Sequence, residues 1–229
     1  MAETKKIVCL ANSVKHAYRC VAGIEVVDHR TFHWIRPVSS RPGHGLSWSE
    51  RQLQDGSELQ VLDVVMLGVL GAQPHGFQQE NWLLDNTVAW RRTDRADWRI
   101  LTALQDHPDS LWINGCSSSN GCNDRIADED AAGLQSSLVL IRVNDLRVTV
   151  QPEYKGRGVR AAFHYAGVNY VLRVTDAHYR AAFLAGDDGH CELGEAFLTI
   201  SLGEPFNGYT YKLVAAIMLR SVVDRPSPS

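Results

Sequence analysis

Whatever chemistry this sequence does must come from arginines, lysines and aromatic rings held close together. Residues 152–158 read PEYKGRG, which brings Tyr154, Lys155 and Arg157 together, with Arg160 just beyond. Two glycines let the backbone approach a phosphate, the cations offset its charge, and Tyr154 offers a face on which a base can stack. Residues 203–209 supply Phe206, Asn207 and Tyr209, expected on the same side of a barrel as that loop. His164, Tyr170 and Arg173 fall on the strands between, and Lys212 is the one member of the last strand expected to point to a ligand. In the first part of the chain, Trp34 and Arg36 stand on one predicted strand with Arg41 beyond, a combination that reads bases or phosphates by stacking and charge. The binding set expected from sequence is therefore Tyr154, Lys155, Arg157, Arg160, His164, Tyr170, Asn207, Lys212, Trp34 and Arg36.

Other clusters read differently. Arg91, Arg92 and Arg95 are interleaved with Asp94 and Asp97, which suits a solvated helix start. Residues 114–125, NGCSSSNGCNDR, have the polar density of a binding or interaction loop; Asp124 and Arg125 could serve a ligand, pair with each other or cap a helix.

Catalytic signatures are missing. The chain has no G-x-S-x-G, no Walker loop and no G-x-G-x-x-G, and Gly156-Arg-Gly158 is too short to count. Cys20 could pair with His16 or His164, but it lies on an apolar strand and reads as core. The five cysteines contain no C-x-x-C and follow no zinc spacing. No catalytic residue, metal or cofactor is expected, and a binding module is favoured over an enzyme. Net charge is -3, so any nucleic-acid contact must rest on a local patch. No apolar run approaches the roughly 18 residues of a membrane span, which gives a cytoplasmic expectation.

These residues need a scaffold, and the apolar periods describe one. Strands are predicted over 6–10, 19–28 and 32–37, followed by a short helix at 47–56 opened by a Ser47/Glu50 capping box, then strands over 59–70 and 81–90. A helix over 94–105 puts Trp98, Leu101 and Leu104 on one face. The later strands are predicted over 138–150, 158–165 and 168–175, with an Ala166-Gly167 hairpin. A helix capped by Asp176 and stopped at Gly186 comes next, then strands over 196–202 and 209–219. The last strand is expected to alternate, with Tyr209, Tyr211, Leu213, Ala215, Ile217 and Leu219 on one face. Three strands, a helix and two strands, found twice, predict an all-β chain with short helices: two tandem OB-fold-like five-stranded Greek-key barrels. The expected division is a first barrel at 1–92, a helix and polar connecting loop at 93–136, a second barrel at 137–222 and a disordered tail at 223–229.

Five motifs in order, YRCVAG at 18–23, WIRP at 34–37, LWING at 111–115, SLGEPF at 201–206 and YKLVAA at 211–216, resemble the bacterial dual OB-containing domain family over nearly the full chain. The resemblance implies a non-catalytic binding or sensing role in bacterial conflict or defence. Its expected partner is single-stranded nucleic acid or a nucleotide-like ligand. The alternative it leaves open is a protein–protein adaptor using the barrels as scaffold, and a small-molecule site between the barrels is a third reading.

Overall fold

A computed structural model describes residues 2–26, 32–154 and 156–223. Lys155, the 27–31 link and the end of the tail beyond Val223 lie outside the described residues. The chain divides into two compact units, Met1–Leu104 and Gln105–Ser229.

In the first unit β1 (Glu3–Lys15), β2 (Tyr18–Val26) and β3 (Phe32–Val38) form a meander. β4 (Asp63–Ala72) and β5 (Asn81–Leu84) complete the circle, β5 lying parallel to β3 and antiparallel to β4, and β4 antiparallel to β1. The closed order is 1-2-3-5-4-1, the signature of the OB barrel. Ile7, Cys9, Val21, Ile35, Leu67 and Trp90 fill it. β6 (Arg91–Arg95) adds to β4, and α1 (Trp98–Leu104) buries Trp98, Leu101 and Leu104, the face its spacing requires.

Two expectations for this unit fail. No helix forms over 47–56; the chain makes turns there, although Glu50 does accept from the Ser47 N–H and hydroxyl as the capping box demands. Trp48 and Leu53 are the only large apolar residues in that stretch and, five positions apart, they cannot share one helical face. Arg91, Arg92 and Arg95 likewise open no helix. Trp90, fully buried, fixes the chain on the barrel, and the exposed strand that follows satisfies the Asp63–Met66 edge of β4.

The second unit begins with β7 (Arg125–Ala127) and α2 (Asp128–Ala131), and then repeats the circle. β8 (Leu138–Glu153), β9 (Gly156–Tyr165) and β10 (Val168–Val174) form the meander. α3 (Ala177–Ala185) follows, and β11 (Gly189–Leu202) and β12 (Tyr209–Leu219) close on β8 and β10 before α4 (Arg220–Val223). Asp176 caps α3 by accepting from the Tyr179 N–H at 2.9 Å. Ala166 and Gly167 both take positive φ, as a two-residue hairpin needs. Strand β12 departs from simple alternation. Thr199 pairs with Ala216 and Ile200 with Val214, so Ala215 is an extra residue, and the inward face switches parity there. Val214, Ile217 and Leu219 enter the core, and below the bulge Lys212, not Tyr211, lies on the inner side.

Candidate functional site

The β8–β9 hairpin sets Glu153 opposite Gly156, which leaves a turn of two residues. Tyr154 stands on it 98% exposed. The cations beside it are engaged by the protein. Arg157 donates from Nε to Asp188 Oδ1 at 2.6 Å, from Nη1 to the Leu184 carbonyl at 3.0 Å and from Nη2 to the Gly186 carbonyl at 2.7 Å, clamping the chain that leaves α3. Arg160 is buried; its Nε meets Glu153 Oε1 at 2.7 Å and its Nη1 meets Asp124 Oδ2 at 3.3 Å. Arg173 bonds the second Glu153 oxygen. Burial pushes the Glu153 carboxyl up, but the two guanidinium groups outweigh it and hold the group below the usual carboxylate range. Gly158 is small because Glu153 fills its place: a Cβ there would come within 2.2 Å of Glu153 Cδ. The sequence feature suggesting a phosphate cradle is thus packed around an ion-pair network.

Residues 105–127 run across the second barrel. Asp106 exchanges bonds with Leu140 on β8, Leu111 enters the core with its N–H on the Tyr170 hydroxyl at 3.4 Å, and Cys122 bridges to Val171 on β10. Beyond it, Ile126 pairs with Thr210 on β12. The segment therefore fills the opening between β10 and β12, which pair directly only at Arg173–Leu213 and Val174–Val214. Two sequence candidates anchor it. Tyr170 is a core residue stacked on Phe163, and Lys212 is fully buried, its Nζ donating to the Ile113 carbonyl at 2.7 Å and to Asn114 Oδ1 at 2.8 Å. Burial brings the Lys212 ammonium down to about 8. Asp124 is the other hub: it accepts from the Ser118 N–H and hydroxyl at 2.7 and 2.5 Å. Gly121 lies so close that a Cβ would fall 1.9 Å from Asp124 Oδ2.

The β11–β12 turn has another character. Asn207 and Gly208 take positive φ, and Phe206 and Tyr209 exchange backbone bonds at 2.8 and 3.2 Å, a two-residue hairpin of the Asn-Gly kind. Phe206 is left 64% exposed. Along β12, Tyr209 and Tyr211 point away from the buried Thr210 and Lys212, and β7 sets Arg125 directly opposite Tyr211. The Arg125 guanidinium lies 3.9 Å from the Tyr209 ring centroid. Its bond with Tyr211 raises the Arg125 pKa. Among the described residues no carboxylate pairs with it. By register this turn and Tyr154 stand at opposite ends of β8 and β11, not on one side as the sequence suggested.

A family model described as the dual OB-containing domain matches residues 5–217, the span over which both strand circles close. The chain belongs to the dual OB-containing domain family. No curated protein matches it. Among solved structures, one described as a murine DNA-binding protein bound with double-stranded DNA is similar at 7% identity and a TM-score of 0.39, over 96% of this chain and 99% of that one. A likeness at that level says nothing of what this chain binds.

Within the dual OB fold the remaining candidates have structural surroundings. Arg36 is buried, its Nη2 3.0 Å from Glu80 and its N–H on the Glu80 carbonyl at 2.8 Å; Trp34, on the same face of β3, is half-buried. His164 is exposed, its Nδ1 2.9 Å from Asn169 Oδ1, and Asn207 holds the turn beside Phe206. Among the described residues no three His, Cys, Asp or Glu side chains gather around a possible metal position, and no helix is long and apolar enough to cross a membrane. Arg125, named in sequence only as one of several polar loop residues, is the one that the strand pairing sets against two tyrosines. An Arg two residues after a Gly-Cys-Asn step carries no signal by itself; its value comes from the register that sets it against Tyr209 and Tyr211.

Proposed function

We propose that the protein binds single-stranded nucleic acid or a nucleotide-like ligand, without chemistry, at the β11–β12 turn of the second barrel. The observation that carries this is Arg125: a guanidinium that meets no carboxylate among the described residues and lies over the ring of Tyr209, whose backbone is paired with that of the exposed Phe206. Aromatic faces take unpaired bases, and a guanidinium held by Tyr211 and Cys116 in place of a carboxylate keeps its charge for the phosphate that follows. A duplex hides its base faces, so single strands are the better substrate. The affinity rests on stacking more than on charge: at about -0.7 per phosphate for a single strand, the log–log salt slope should stay near -1. We further propose that such binding serves sensing in bacterial defence, a reading supported by the resemblance of the five sequence motifs.

The test is fluorescence anisotropy with labelled oligo(dT) and with single nucleotides at roughly 50 mM salt, where phosphate contacts are strong. Arg125→Ala with Phe206→Ala should weaken binding by at least about 10-fold, within the ~1–3 kcal/mol that a stacked base contributes. No binding by the wild-type protein would sink the reading and turn attention to the adaptor alternative. That alternative is favoured by the net charge of -3 and by the ion-paired arginines around Tyr154.

A further inference from the structure

The end of the second barrel that carries Arg125 also carries a group of carboxylates that stacking leaves unused. We propose that the site takes one nucleotide, free or at the end of a strand, and excludes the interior of a strand. This inference rests on the nucleic-acid reading above and narrows it to a terminal nucleotide.

Residues 125–131 and 203–212 build this end. Their cations are Arg125 and Lys212, and Lys212 is buried and committed to Ile113 and Asn114. Their carboxylates are Asp128, Glu129, Asp130 and Glu204. Strand pairing fixes where these stand. Ala127 is the partner of Tyr209, and the Asp128 N–H donates to the Gly208 carbonyl at 3.2 Å, so α2 starts against the β11–β12 turn. Asp128 Oδ1 accepts from the Thr210 hydroxyl at 2.9 Å, while Glu129 and Asp130 are exposed. Neither of these two pairs with a cation among the described residues. Glu204, also exposed, stands two residues before Phe206 on the β11 side of the turn.

Glu129 is two residues beyond Ala127, at most about 7 Å of chain. Exposed charges act over roughly 10 Å at 0.1 M salt, so a strand leaving Tyr209 in that direction passes from one guanidinium into like charge. With a base at Phe206 and its phosphate on Arg125, a strand that continues past the turn brings its next phosphate toward Glu129 and Asp130 or toward Glu204. A terminal nucleotide has chain on one side only, and that chain can leave along β12, away from the turn. An interior nucleotide has chain on both sides, and one of them runs into the carboxylates. The barrier is electrostatic, so it should shrink as salt is raised.

The experiment is calorimetric titration of the full chain with dTMP, with linear oligo(dT) and with a circular oligo(dT) of the same length, which has no ends. The nucleotide and the linear strand should bind, and the circle should bind at least about 10-fold more weakly at roughly 50 mM salt, with the gap narrowing as salt rises. Glu129→Gln, Asp130→Asn and Glu204→Gln together keep Arg125 and every ring. That variant should bring the circle within about 3-fold of the linear strand and leave dTMP affinity unchanged. Circular dichroism and the melting temperature check that it folds. A circle that matches the linear strand on the wild-type protein overturns this inference and leaves the second-barrel reading standing. A circle that stays weak on the neutralised variant overturns it as well, because the carboxylates are then not the barrier. If the wild-type protein binds neither dTMP nor the linear strand, the inference and the reading beneath it both fall.

Discussion

At the β8–β9 turn Arg157 and Arg160 bond to Asp188, Glu153 and Asp124, whereas at the β11–β12 turn Arg125 meets Tyr209 and Tyr211 and, among the described residues, no carboxylate. Both turns are two-residue hairpins on one barrel, and both present an aromatic ring to water. The sequence is far richer in cations at the first. What separates the two is whether carboxylates come within reach once the strands pair. Glu153 lies seven residues before Arg160 and closes on it across the hairpin, while Arg125 faces tyrosines. Local density of positive charge is thus a poor guide to charge a ligand can use.

If the β8–β9 end is structural, its largest effect is on stability. Glu153→Gln should cost about 3 kcal/mol in urea unfolding, the lower end of what breaking a buried ion pair costs, because Arg160 keeps its charge without its main partner. The wild-type network should be fully stabilising above the ordinary glutamate pKa of about 4.3 and should weaken as the pH falls through the lower folded value. The variant should lose that acid slope. An unchanged unfolding midpoint together with lost oligonucleotide binding would reverse the assignment of the two turns.

A smaller effect tests the segment that joins them. The folded protein releases the Lys212 proton at about 8, and the unfolded chain holds it to about 10.4, so between those values the unfolded state binds more protons and stability rises with pH. Lys212→Met should remove this rise in melting temperature while losing the Ile113 and Asn114 bonds. A flat wild-type profile between pH 8 and 10 would mean that the ammonium is not desolvated. Smallest of all, Tyr154→Ala should move stability by less than about 0.5 kcal/mol and leave oligonucleotide affinity unchanged, since an isolated exposed ring touches little. A clear loss of affinity would restore the β8–β9 turn as a binding site.

The strand circle was legible wherever one face had to be buried. β10 alternates Tyr170, Leu172 and Val174 inward, Asp176 caps α3, and the apolar spacing of α1 holds. Tertiary features were hidden. The bulge at Ala215 needs the partner strand to be seen, and it turns Lys212 from an expected outward residue into a buried one. The capping-box residues bond as their types demand, but the stretch after them has no apolar face to make a helix worthwhile. The cations around residues 154–160 were counted without the carboxylates that would reach them. The mid-chain polar stretch has the composition of a loop, which carries no trace of its register against β12.

That stretch has a consequence for how the barrel is made. The ties that hold it span long intervals: Leu111 to Tyr170 is 59 residues, and Asn114 to Lys212 is 98. During synthesis the segment emerges well before β12, so Leu111 must wait for a partner 59 residues on and Asn114 for one 98 residues on. Contacts of that separation slow folding and leave apolar surface uncovered until the last strand arrives. The second barrel should therefore be the late-folding half of the chain, and its final strand the step that locks it.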